Sequence, residues 1–229
     1  PEEFYLAEKL LNMHKWAGGV KFARTGGEAN SLSLRISRSY TKKTKIAICG
    51  YHGWHDWYLS ANLNKKNNLA SHLLSDLKAR GVPRELKNTV FPFRYNNFAE
   101  LETLIQNHDI GVIKMEVQRN EPPKDNFLKN VRKIATDKGI TLIFDECTSG
   151  FRETFGGLHK KYDVEPDMAI FGKALGNGYA VTALIGKKSV MNEAQKSFIS
   201  STFWTERIGS VAGLETLKIM KDLKSWKKI

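Results

Sequence analysis

Five short apolar runs, separated by stretches of helical periodicity, constrain what this chain can fold into. The runs are residues 46–49, 110–113, 140–144, 168–171 and 181–185. Continuous apolar runs suit strands that are covered on both faces, as in a parallel sheet. Between them, Ala29, Leu32, Ile36 and Tyr40 share one helical face. Phe98, Leu101, Leu104 and Ile105 share another, and Phe127, Val131, Ile134 and Ala135 a third. Ile208, Val211, Ala212, Leu214, Leu217 and Met220 predict a late helix, and Gly139 after Lys138 predicts a helix C-cap. Strands alternating with helices predict an open α/β sheet, in which ligands bind at the carboxyl ends of the strands. The polar stretch 62–68 is the expected mobile loop.

A length of 229 residues suits one large domain, and 41% hydrophobic residues argue against disorder. No apolar run is long enough to span a bilayer. The first residues read as the inside of a helix, and the last break off just after a helical pattern. The expectation is therefore that 1–229 is one domain of a longer protein. Cys49 and Cys147 belong to no CxxC pattern and no disulfide framework, which fits a reducing cytoplasm and argues against a structural zinc site. The formal net charge is +12, but the lysines are scattered. There is no nucleic-acid motif and no basic stripe with interleaved aromatics, so the charge reads as a solvated surface.

The chemistry-bearing residues fall where the strand runs end. Asp145 closes Ile143-Phe144-Asp145, and Lys173 follows Ile170-Phe171-Gly172 and precedes the turn at Gly176 and Gly178. Upstream, Thr25-Gly26-Gly27-Glu28-Ala29 is a glycine turn opening a helix. An amine able to form a Schiff base, a carboxylate able to pair with a pyridinium nitrogen, and a helix start able to hold phosphate are the parts of a pyridoxal phosphate (PLP) site. Each part has a plainer reading: a surface lysine, an Asp145 paired with Arg152, an ordinary glycine turn. The cluster from Tyr51 to Tyr58 could stack on a flat cofactor, hold a metal through His52, His55 and Asp56, or simply be a packed aromatic loop.

Taken in order, these motifs resemble the class III PLP-dependent aminotransferases, in the group that includes glutamate-1-semialdehyde aminomutase. The family's Ser-Gly-Thr-Glu-Ala stands here as Thr25-Gly26-Gly27-Glu28-Ala29, and its Tyr-His-Gly as Tyr51-His52-Gly53. Its Asp-Glu-Val-x-x-Gly-Phe-Arg stands as the segment from Asp145 to Arg152. Its Gly-Lys-x-x-Gly-x-Gly follows Pro166-Asp167 and runs from Gly172 to Gly178. Ser201-Thr202 takes the place of a Gly-Thr step before a late helix.

The resemblance implies a PLP-dependent fold type I large domain, a three-layer α/β/α arrangement with a mostly parallel seven-stranded sheet. It implies Lys173 as the Schiff-base and proton-shuttling lysine, and Asp145 as the partner of the pyridine nitrogen. Thr25, Gly26 and Gly27 would hold the phosphate. Tyr51 and Cys147 would lie on opposite faces of the ring, with His52 from the Tyr-His-Gly motif and Glu116 near the cofactor. Thr202 would reach the cofactor of a neighbouring subunit in a homodimer with shared sites. The implied reaction is transfer of an amino group from an amino donor to a carbonyl acceptor, or an aminomutase reaction. No metal, nucleic-acid or membrane partner is implied. Decarboxylase or racemase-like PLP chemistry, or an inactive incomplete scaffold, are the alternatives. Gly27 in place of a hydroxyl residue, Val117 in place of Pro, and the segments Trp54-His55-Asp56-Trp57 and Phe203-Trp204-Thr205-Glu206-Arg207 depart from the aminomutase pattern.

Overall fold

In the computed structural model, residues 1–204 and 206–228 are described; Thr205, in one of the departing segments, lies outside them. Seven strands form one sheet: β1 (Gly19–Ala23), β2 (Lys45–Cys49), β3 (Val90–Pro92), β4 (Ile110–Met115), β5 (Thr141–Glu146), β6 (Met168–Phe171) and β7 (Thr182–Gly186). Their order is β1-β7-β6-β5-β4-β2-β3, and only β7 runs against its neighbours. The longer helices are α1 (Glu2–Met13), α2 (Gly26–Thr41), α5 (Phe98–Asn107), α6 (Phe127–Asp137) and α8 (Arg207–Leu223). Single turns make up α3 (Asp56–Leu59), α4 (Ala61–Asn64) and α7 (Lys188–Met191). No helix among the described residues is long and apolar enough to cross a membrane.

The strands alternate as the pleat requires. Ile143, Ile170 and Leu184 face the layer containing α2. Leu142 and Phe144 face α5 and α6, while Ala169, Phe171 and Ile185 face α1 and α8. The sheet is thus buried between two helical layers, which is why its central strands are apolar at nearly every position. All five expected strands are present, and β4 and β5 continue past their apolar runs to take in Lys114, Asp145 and Glu146. The two strands without a sequence signal, β1 and β3, are the sheet's edges. β1 is only partly buried over most of its length. β3 is three residues long and ends in Pro92, whose missing N–H suits an edge.

The four expected helices form, and Gly139 takes φ +63° directly after the Lys138 cap of α6. Gly213 lets α8 lie close to α1, since a Cβ there would come within 3.0 Å of Leu6 Cδ2. The stretch 62–68 is no free loop. The Asn62 amide donates to the Leu77 carbonyl (2.7 Å), Asn64 to Val90 (2.9 Å) and Asn68 to Ala61 (3.0 Å). Asparagine side chains here supply the backbone partners that regular structure would otherwise provide.

Adjacent β5 residues point to opposite faces, so Asp145 and Glu146 part company. Glu146 is wholly buried on the α1 side. It accepts from the His159 ring and from the Leu158 backbone. His159 in turn accepts from Trp16 Nε1 (3.1 Å). Beside it, His14 donates from Nδ1 to the Leu10 carbonyl (2.9 Å), accepts the Gly157 N–H at Nε2 (3.0 Å) and stacks on Phe171. A ring that accepts at one nitrogen is neutral, and burial pushes its pKa down to about 4. Between that value and the unfolded value near 6.5, the unfolded chain binds one proton more than the folded one, so stability rises with pH. Urea midpoints should therefore fall as pH drops from about 6.5 to 4. The fall should be smaller in His14→Asn; an equal fall in that variant would acquit His14.

Candidate active site

The strand order places four successive strand ends side by side: β6, β5, β4 and β2. Each contributes side chains to one cavity of about 360 Å³. Lys173 comes from the turn after β6, Asp145 from the end of β5 and Cys147 from the turn after it, Glu116 from just past β4, and Tyr51 from the loop after β2. The opposite wall is the first turn of α2, with Gly26, Gly27 and Asn30. The cavity lies where the connections diverge at the carboxyl edge of the sheet, the expected place for a ligand.

Thr25 begins α2 by accepting the Glu28 N–H at its side-chain oxygen (3.2 Å), while Glu28 reaches back to the Arg24 N–H (2.9 Å). That cap serves one first-turn donor; the N–H groups of Gly26 and Gly27 precede any intrahelical acceptor and remain available. Side chains could not line this cradle. A Cβ on Gly27 would come within 2.9 Å of His55 Nε2, and one on Gly26 within 3.3 Å of Cys147 Sγ. Gly53, at φ +94°, lies against Gly27 across the loop.

Asp145 is 5% exposed. Its Oδ2 accepts from His52 Nδ1 (2.9 Å) and its Oδ1 from the Cys147 N–H (3.2 Å). Burial by itself would raise the carboxyl, but the His52 hydrogen bond and charge, with Lys114 and Asn30 nearby, hold it well below the usual carboxylate range. The partner is thus His52; Arg152 is exposed. His52 does not line the cavity: its second nitrogen faces the Cys49 carbonyl (3.2 Å), so it supports Asp145 from behind.

Lys173 sits at φ +41°, a left-handed conformation that costs a non-glycine residue energy and recurs at functional positions. It is exposed, and its Nζ donates to Thr148 Oγ1 (2.7 Å). Burial first, then the charge of Asp145, pushes the Cys147 thiol up, so it lines the cavity as a neutral group. Glu116 is buried and its Oε2 takes the Tyr51 N–H (3.0 Å), fixing the backbone that carries the Tyr51 ring. Thr202 lies in the turn before α8 and is not part of this wall.

Asn30 lies outside every motif, and Thr148 at an open position of the Asp145–Arg152 motif; both line the cavity. Asn30 is buried in α2 with Oδ1 lacking any partner. An asparagine one turn past a glycine pair, inside a helix it disfavours, is the signal that could have exposed it. Among the described residues, no group of three or more His, Cys, Asp or Glu is gathered as metal ligands would be, His52, His55 and Asp56 included. Instead His55 Nδ1 meets Ser31 Oγ at 2.6 Å. A flat ring between Tyr51 and Cys147, with an acceptor at Asp145, an orphan acceptor at Asn30 and a phosphate-sized cradle at Gly26-Gly27, fits these residues.

The profile of the family "Aminotransferase class-III" matches residues 2–229. A 3-aminobutyryl-CoA aminotransferase from Cloacimonas acidaminovorans is 36% identical, over 94% of this chain and 50% of its own length. A glutamate-1-semialdehyde 2,1-aminomutase from Nitrosopumilus maritimus is 35% identical, over 97% and 54%. The chain therefore spans about half the length of these curated relatives. Among solved structures, an omega-transaminase from Sphaerobacter thermophilus superposes with a TM-score of 0.83 at 26% identity, covering 96% of this chain and 53% of that one.

Removing Asp145 would leave the buried His52 ring facing no anion. Asp145→Ala should lower folding stability by about 3 kcal/mol, read from urea denaturation at pH 7. A loss below about 0.5 kcal/mol would show that the pair contributes nothing to the fold.

Proposed function

The chain belongs to the class-III aminotransferases, and we propose from that premise that it is the cofactor-binding large domain of a PLP-dependent enzyme. Its reaction is the transfer of an amino group between an amino donor and a carbonyl acceptor, as an aminotransferase or an aminomutase. The observation that carries this reading is that Asp145 on β5 and Lys173 just past the neighbouring β6 open into one cavity opposite the unspent N–H groups of α2.

When bound, PLP supplies an electron sink for negative charge on the substrate carbon. The chain's residues do the rest. Gly26 and Gly27 offer backbone donors to the phosphate at the positive end of a helix dipole. Asp145, kept anionic by His52, accepts the hydrogen bond of a protonated ring nitrogen. Tyr51 and Cys147 bound the ring's two faces, and Glu116 holds Tyr51 in place. Lys173 supplies the amine for covalent attachment, and its Nζ takes and returns the proton at the substrate carbon.

The reading extends to a homodimer with shared sites. Its support is the exposure of Phe198 and Trp204 beside α2, around a second cavity of about 320 Å³, with Phe203 exposed next to them in sequence. Thr202 lies in that same segment, away from its own chain's cavity, and would serve a second copy. Two free thiols, Cys49 and Cys147, support a cytoplasmic location.

Borohydride treatment of the PLP-loaded protein should fix the cofactor to Lys173, as found by peptide mass mapping. Lys173→Ala should lose that attachment and at least ~10³-fold of its transamination rate. Attachment elsewhere, or wild-type turnover in the variant, would overturn the assignment. Asp145→Ala should slow proton transfer at the substrate carbon by roughly 10²-fold or more; unchanged kinetics would remove Asp145 from its role.

A further inference from the structure

On β4, level with Ile143 and on the same face of the sheet as Asp145, lies a lysine with no assigned task. Lys114 is 0% exposed, in the middle of the sheet. With Val112 it faces the α2 layer, where its surroundings are Ile46, Ile48, Ile143 and Ile170. Its Nζ donates to Ser33 Oγ (3.1 Å), and among the described residues no carboxylate lies within 4.0 Å of it. An ammonium has three N–H donors, so two are unspent in an apolar layer. A buried cation in such a place is costly unless an anion answers it.

Asp145 is the anion at hand. Lys114 pairs with Ile143 in the β4–β5 register, and Asp145 is two residues further along on the same face. A polar chain connects them: Ser33 Oγ donates to the Asn30 carbonyl (2.7 Å), and the Asn30 side chain stands beside Asp145. The other groups facing Lys114 are few. Cys147 and Asp145 come from β5 and the turn after it, and His52 acts through Asp145. The buried residues of α2 are Ala29, Asn30, Ser33, Leu34, Ile36 and Ser37, none of them charged.

We propose that Lys114 tunes Asp145 through the field of its buried ammonium, which opposes any cation docked against the same carboxylate, so ring binding tightens when Lys114 sheds its proton. The proposal rests on the PLP reading of the cavity. Burial pushes Lys114 down to about 8, against the opposing pull of Asp145 and Cys147, so its charge changes close to neutral pH. Once Lys114 is neutral, Asp145 keeps its hydrogen bonds from His52 and the Cys147 N–H but is free of the ammonium's field, which leaves its charge to a protonated ring nitrogen.

Pyridoxamine phosphate is the probe, because it carries the same ring and phosphate but no aldehyde for Lys173 to attack. Its Kd would be measured by titration calorimetry on the full-length protein at pH 7, 8 and 9. The wild-type Kd should fall about tenfold more across this range than that of either variant, since one pKa unit of coupling is a factor of ten. Lys114→Met should bind tightly at pH 7 and show no such tightening. Lys114→Arg, whose guanidinium stays protonated, should bind weakly throughout. The probe's own ionisations are common to all three proteins and cancel in the ratios. Equal pH slopes in wild type and Lys114→Met would overturn the proposal and leave the cofactor reading standing. If Lys114→Arg does not fold, wild type and Lys114→Met decide between them. No saturable binding to the wild type would fell the cofactor reading and the Lys114 proposal together.

Discussion

The hydrogen bond between His52 and Asp145 is the contact on which the cavity depends. His52 follows β2 and Asp145 ends β5, with β4 lying between the two strands. The bond therefore spans the end of β4 and locks the loop after β2 over it. Tyr51 is held in the same stroke, through its neighbour in sequence and through Glu116, which rises from just past β4. A buried carboxylate without such a partner would be driven to its neutral form by desolvation; with one it stays anionic and can attract a cation. The loop's position and the site's charge thus have one cause.

The end of β5 is anchored from both sides, and the two anchors do different work. Toward α2, Asp145 keeps one face open to the cavity. Toward α1, Glu146 is closed off completely by His159 and the backbone at Leu158, with Trp16 and His14 filling in behind. A fully satisfied buried network rigidifies its surroundings. The closed side can therefore hold the strand end still while the open side meets a ligand. The pleat makes this division of labour available to two residues that are adjacent in sequence.

The phosphate cradle and the lysine illustrate the cost of function in the backbone. At Gly26 and Gly27 the chain does without side chains so that N–H groups stay reachable. At Lys173 a full-sized side chain accepts a left-handed conformation, and the turn through Gly176 and Gly178 carries the chain away from it. The sheet's central strands, apolar on both faces, supply the stability that such local strain draws on.

Periodicity alone determined the class of fold: strands apolar throughout must be covered twice, and the helical faces between them supply the covers. It also determined that Asp145 and Lys173 stand at strand ends and that Gly26-Gly27 opens a helix, because those facts follow from where each local pattern stops. The edge strands β1 and β3 are not legible in the sequence, since half-buried or three-residue strands leave no continuous apolar run. What only the tertiary structure decided was which groups meet. The order β6-β5-β4-β2 comes from crossover connections and packing, which no local pattern encodes. It is this order that sets His52 behind Asp145 as its support, where the resemblance implies a place near the cofactor. It also sets Asn30 beside them and buries Lys114 on the same face of the sheet as the carboxylate. A side chain's neighbours depend on strands distant in sequence, whereas its burial is written in the residues next to it.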